Sequence, residues 1–253
     1  MKKHIITPCF IAIILVATNC QDATIDETAT NVTFLIDVTD KPIYEAIESD
    51  FNQNLNTFFT NTGVGNIDFG QRLTIRMGAI DESDQLTLQS KSIALLNKNI
   101  SRKEAQRQRD PRPCLQMISA ELARYKQLSE KQMSSPIIDV ILKAFREMSP
   151  ESREILVICT DGIEYNPRYA NFYKSIPTSE QSIENLISKI DPILLSEAEE
   201  QIALADPEVI IVLKPNDKVI KTAELKQAYN ELMRQIGVNT VRFIDNLSNN
   251  PNL

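Results

Sequence analysis

Two short apolar runs, far apart in the chain, each stop abruptly on an aspartate. The first, Asn31-Val32-Thr33-Phe34-Leu35-Ile36, runs into Asp37-Val38-Thr39-Asp40-Lys41. The second, Ile155-Leu156-Val157-Ile158-Cys159, runs into Thr160-Asp161-Gly162. Both are β-branched or aromatic in character, as buried strands are. A strand that is apolar on both faces belongs in a parallel sheet covered by helices on both sides. In open sheets of that kind, ligands bind at the carboxyl ends of the strands. Each aspartate taken singly is explained as the N-cap of a following helix. The two together point to one polar site assembled from distant parts of the chain.

The segments between and after these runs alternate. Pro42 sits where a first helical turn begins, and Ile43, Ile47, Phe51, Leu55, Phe58 and Phe59 follow at helical spacing. Glycines 63, 65 and 70 place a loop there, before a strand at 73–80. A short edge strand is expected at 85–88, antiparallel to its predecessor. Pro111 and Pro113 interrupt any helix in the basic stretch, and Leu115, Ile118, Leu122 and Tyr125 mark a helix after it. Ser134 and Ser135 stand just before the helical pattern of Ile137, Ile138, Ile141, Leu142, Phe145 and Met148, and capping that helix is their simplest role. One helix is expected through Ile183, Leu186, Ile187, Ile190, Ile193 and Leu194, with an acidic continuation at 197–201. A strand at 208–213, a helix ended by Gly237 and a last strand at 240–244 complete the series. This order predicts an α/β fold: a doubly wound, mainly parallel sheet flanked by helices, Rossmann-like, with one antiparallel edge strand.

The N-terminus is of another kind. Lys2 and Lys3 precede a short apolar run over residues 9–17, the pattern of a signal peptide. About 20 apolar residues are needed to span a bilayer, so this run does not serve as a stable anchor. It ends at Ala17-Thr18-Asn19-Cys20, which resembles a bacterial lipobox and implies lipidation of Cys20. The alternative is an ordinary secretory signal cut near Cys20. Residues 1–19 are therefore read as signal peptide and 20–30 as lipidated cysteine and polar tether. The globular domain then covers 31–247, and 248–253 is a frayed tail. The protein is expected in the cell envelope, held to a bacterial membrane through the lipid, or otherwise secreted.

Composition narrows the chemistry. The net charge of −7 argues against general nucleic-acid binding. The single histidine, His4, lies in the leader, so the mature chain lacks His-based triads and most zinc sites. Cys159 falls inside an apolar strand and reads as a packing thiol, and a bond to Cys114 is not expected. No Walker or G-x-G-x-x-G sequence occurs.

The order of elements and the polar motifs together resemble a von Willebrand factor A domain, the doubly wound fold that carries a metal-ion-dependent adhesion site. The family's first motif, Asp-x-Ser-x-Ser, is matched at Asp37 and Thr39, with Lys41 in place of the second Ser. Its middle hydroxyl falls at Ser135, beside Ser134. Its Thr-Asp-Gly falls at Asp161. The resemblance implies a site for Mg²⁺ or another divalent cation built from Asp37, Thr39, Ser135 and Asp161, which a partner's carboxylate completes. Such a hard cation takes about six oxygen ligands, so two carboxylates and two hydroxyls from three loops suit it. Lys41 opens two alternatives. Pointing inward, its ammonium pairs with Asp37 or Asp161 and replaces the metal; pointing outward, it leaves the site to the cation, with water or Asp40 filling the gap.

The expected function is thus an envelope-anchored, non-enzymatic binding module that meets a protein partner at this face. Two further surfaces are candidates for that partner. One is the basic insert at about 98–112, with Arg102, Arg107 and Arg109, on which an acidic partner or lipid head groups would dock; a solvated helix face is the plainer explanation. The other is the aromatic loop with Tyr165, Tyr169, Phe172 and Tyr173, which grips a partner or folds back over the sheet edge. Two alternatives stand beside this reading. One is a Mg²⁺-dependent hydrolase resembling haloacid-dehalogenase phosphatases with Asp37 as nucleophile, although Thr39 stands where those need a second Asp. The other is a structural subunit of an envelope assembly whose metal site is inactive.

Overall fold

A computed structural model describes residues 29–61, 72–83, 86–93, 112–129, 134–214 and 221–249. The leader, Cys20, most of the tether, the glycine loop after the first helix, nearly all of the basic insert with Arg102, Arg107 and Arg109, and the last four residues of the tail lie outside the described residues.

The chain enters through β1 (Ala29–Asp37), passes along α1 (Lys41–Asn61) and returns as β2 (Arg72–Ile80). β3 (Gln89–Ile93) and α2 (Arg112–Leu128) follow, then α3 (Ile137–Arg146) and β4 (Ser152–Thr160). A small hairpin, β5 (Tyr165–Asn166) and β6 (Ala170–Asn171), precedes α4 (Glu180–Ile187) and α5 (Pro192–Ala205). β7 (Glu208–Leu213), α6 (Thr222–Gln235) and β8 (Thr240–Ile244) close the fold. The main sheet runs β3-β2-β1-β4-β7-β8, parallel throughout except for β3.

The apolar alternation of the central strands feeds two cores, one on each face. Val32, Phe34 and Ile36 of β1, with Ile155, Val157 and Cys159 of β4, pack against α1 and α2. Phe34 meets Phe51 of α1 edge-on at 5.1 Å. Leu35, Leu156 and Ile158 face the other way, toward α3, α4, α5 and α6. Burial on this scale, at roughly 25 cal/mol per Å² of apolar surface, is the main force holding helices to both faces. Cys114 and Cys159 are free thiols, both buried. Among the described residues no helix is long and apolar enough to cross a membrane.

Three expectations about elements are corrected. The edge strand is not 85–88 but Gln89–Ile93, paired antiparallel with β2 from Met77↔Gln89 to Leu73↔Ile93. Leu86 and Leu88 instead turn down onto the core beside Gly78, where a Cβ would stand 2.7 and 2.9 Å from their methyl groups. Burying the two leucines gains more than laddering them, and the polar residues 89–92 are left to form an edge that resists pairing with other chains. The single helix expected from Ile183 to Leu194 is two, because Pro192 cannot continue a helix and Asp191 caps a new one. Ile193, assigned to the apolar face, is consequently 69% exposed. Pro113 lies in the first turn of α2 rather than breaking it.

Candidate cation site at the carboxyl edge of the sheet

From β1 the chain goes to β2 on one side of the sheet and later returns to β4 on the other. The crevice between the carboxyl ends of β1 and β4 is therefore the topological switch point, where open α/β sheets place their ligands. Asp37 is the last residue of β1, 1% exposed. Thr160 ends β4, and Asp161 follows it, also buried.

Short hydrogen bonds fix this crevice. The Thr39 backbone N–H and its Oγ1 both donate to Asp37 Oδ1, at 3.0 and 2.6 Å. Thr160 Oγ1 donates to Asp37 Oδ2 at 2.6 Å and accepts the Gly162 N–H at 2.9 Å. Asp161 Oδ1 accepts the Ile163 N–H at 2.8 Å. Gly162 makes the turn at φ 78°, and a Cβ there would lie 3.0 Å from a methyl group of Leu213. Glycine alone meets both demands cheaply.

Ser135 lies on the loop before α3. Ser135 is joined to Tyr165, four residues beyond Asp161, by a two-way backbone bridge of 3.0 and 2.9 Å. Its Oγ is buried with no hydrogen-bond partner. It does not cap α3, and Pro136 at the cap position makes no side-chain bond. The cap comes from Glu164, fully buried, whose Oε2 accepts the Ile138 N–H at 2.8 Å. Glu164 thereby ties the loop after β4 to the start of α3, the loop that presents Ser135.

Electrostatically the crevice is acidic and buried. Burial, reinforced by the neighbouring charge of Asp161, pushes the Asp37 carboxyl from 3.8 up to about 6, against the opposing hydrogen bonds of Thr160 and Thr39. Burial holds Glu164 well above the usual carboxylate range, with Asp139 and Asp37 adding to it while the Ile138 and Ile137 N–H groups oppose. Beneath them lies Tyr229 of α6, fully buried, its phenol also shifted upward by burial and then by Glu164, Asp161 and Asp37. The Tyr229 OH has no partner. The partnerless Tyr229 hydroxyl beside Glu164, Asp161 and Asp37, with the partnerless Ser135 hydroxyl on the loop bridged to Tyr165, offers oxygens of the kind a hard cation seeks.

At the rim, Asp40 is half-buried and Lys41 is exposed in the first turn of α1. The aromatic loop divides. Phe172 folds into the core against Tyr229 at 6.3 Å. Tyr169 donates its OH to Asp139 at 2.9 Å. Tyr165 is half-buried and meets Tyr173 edge-on at 6.4 Å. Tyr173, 52% exposed, is raised to about 12 by burial and by Asp161, Asp40 and Asp37, which places its phenol beside the crevice. Tyr173 belongs to the aromatic loop already expected from the sequence, whereas Glu164, Tyr229 and Thr160 are site residues that sequence reasoning did not single out. Of these three only Thr160, inside the Thr-Asp-Gly run, carried a signal.

Among the described residues no three His, Cys, Asp or Glu side chains are grouped so as to hold a metal ion; the set here mixes carboxylates with hydroxyls. No protein-family model matches the chain, and no curated protein sequence matches it at a significant level.

Proposed function

We propose that this protein is a non-enzymatic, envelope-anchored binding module that captures a protein partner through a divalent cation at the carboxyl edge of its sheet. The reading takes the domain as similar to von Willebrand factor A domains and the leader as a lipoprotein signal ending at Cys20. Its support is one observation above all: two buried carboxylates, Asp37 and Asp161, brought together at the switch point with the partnerless Ser135 hydroxyl on the adjoining loop.

The donor chemistry fits a hard cation such as Mg²⁺. Asp37, Thr39, Ser135 and Asp161 would hold it. Thr39 spends its one proton on Asp37, which leaves the hydroxyl's lone pairs for a ligand. Lys41 is exposed in the first turn of α1, at the rim of this face. A bound divalent ion supplies a positive centre to which a partner's carboxylate can bind. Tyr173 at the rim offers that partner a flat amphipathic contact.

The test is Mn²⁺ binding followed by electron paramagnetic resonance, for wild type and for Ser135→Ala and Asp161→Ala. Saturable binding at one site per chain, weakened in Ser135→Ala and abolished in Asp161→Ala, is the expected result. Absence of binding to folded wild type would overturn the reading.

A further inference from the structure

A short path of chain joins two of the candidate cation ligands. From Asp161 it runs through Gly162, Ile163 and Glu164 to Tyr165, whose backbone is bridged to Ser135. The two ligands are held differently. Asp161 is fixed within its own loop, where it accepts the Ile163 N–H at 2.8 Å. The Ser135 hydroxyl is buried and makes no hydrogen bond, so the backbone around it must set its place.

Glu164 acts on that backbone through both its main chain and its side chain. Its carbonyl accepts the Phe172 N–H at 2.9 Å, and Phe172 is packed in the core. Its side chain crosses to α3 and accepts the Ile138 N–H at 2.8 Å, just beyond Ser135 and Pro136. The carboxyl is fully buried and its Oε1 has no partner. That is a costly way to cap a helix, because a serine or asparagine at the cap position would satisfy the same N–H from nearby. What the buried acid adds is a tie between two loops, one bearing Asp161 and the other Ser135. The next residue of α3, Asp139, is engaged by Asn166 Nδ2 at 2.8 Å and by Tyr169 OH at 2.9 Å. Helix and hairpin are thus clasped side by side, and shortening Glu164 loosens the clasp without undoing it.

We infer that Glu164 is a positioning residue that acts through Ser135 on the cation proposed above, a role that rests on that reading of the crevice. It holds the Ser135 hydroxyl where one ion can reach it and Asp161 together.

Mn²⁺ binding followed by electron paramagnetic resonance tests this in Glu164→Gln, Glu164→Asp, Ser135→Ala and the double variant Glu164→Asp/Ser135→Ala. Glutamine keeps an acceptor for the Ile138 N–H and should bind Mn²⁺ within about twofold of wild type. Aspartate falls a methylene short and should bind roughly 10–100-fold more weakly, as the loss of a ligand-orienting partner does. The double variant should bind no more weakly than the weaker of its parents, because both changes act on the same ligand. Wild-type binding by Glu164→Asp, equal losses in Glu164→Gln and Glu164→Asp, or losses that multiply in the double variant would each overturn the inference and leave the cation reading standing. A wild type that binds no Mn²⁺ would overturn both. Amide exchange in wild type supplies a measure independent of how any variant folds. Saturating Mg²⁺ should slow exchange at Ile138 more than at Ile211 of β7, and equal slowing at the two would overturn the inference.

Discussion

Two buried carboxylate centres show opposite solutions to the same problem. Asp50 of α1 is buried beside Lys214, the residue after β7, whose ammonium donates to it and to the Asp245 carbonyl at 3.0 Å. The Leu247 N–H reaches both Asp50 oxygens at 3.1 Å, and Asn54 adds a bond at 2.7 Å. Every demand of that buried acid is met from within, and the result ties α1 to the ends of β7 and β8. Asp37 is also fully hydrogen-bonded, but its charged neighbour is another acid. At the first centre the acid faces a cation; at the second Asp37 faces Asp161, the pairing on which the proposed cation site rests.

Breaking the first centre should produce the largest effect. Lys214→Ala leaves Asp50 buried without its cation, and losing one partner of such a pair costs about 3–5 kcal/mol. Chemical unfolding should show that loss with or without metal.

The crevice should answer with the opposite sign. A carboxyl whose folded pKa is raised binds more protons in the folded chain than in the unfolded one. For Asp37 that window runs from 3.8 to about 6. Its contribution to stability is therefore fully present below the window and is lost as pH rises through it. In EDTA at pH 7.5, Asp37→Asn should stabilise the protein by on the order of 3 kcal/mol. The gain should shrink as pH falls and vanish near pH 4, as urea unfolding at a series of pH values will show. Ser135→Ala removes a buried hydroxyl without a partner and should stabilise the metal-free protein by about 1 kcal/mol in the same assay, while weakening metal binding. The smallest effect belongs to Lys41→Ala, an exposed change expected within about 0.5 kcal/mol, which should leave metal-dependent stabilisation in place.

What could be read from the sequence follows from which residues interact locally. β1 and β4 were legible because their side chains are buried on both faces, which leaves an unbroken apolar run ending where the polar crevice begins. The Asp37 and Asp161 pairing followed from the parallel order of those strands. The cap of α3 was not legible, because its acceptor, Glu164, lies 26 residues downstream while two serines stand beside the helix. Tyr229 hid for a related reason. It falls on the apolar face of α6 with Leu225, Ala228 and Leu232, and only the packing of that helix under the crevice makes its hydroxyl part of the site. β3 was misplaced because Leu86-Thr87-Leu88 alternates as a strand would, and its leucines are spent on covering Gly78. The break between α4 and α5 was legible in Asp191-Pro192, a cap followed by a first-turn proline, but the apolar spacing across it masked the signal.

The most direct test of the Asp37–Asp161 pairing is thermal unfolding at pH 7.5 of wild type and Asp161→Asn, each in EDTA and in saturating Mg²⁺. The account predicts a crossing. In EDTA the variant unfolds at the higher temperature, because Asp37 has lost its like-charged neighbour. In Mg²⁺ the wild type overtakes it, since ligand at about a hundred times its Kd adds roughly 2.7 kcal/mol to the native state. For a domain of this size that is about 5–10 °C. A wild type that ignores Mg²⁺, together with a variant no more stable than wild type in EDTA, would contradict it.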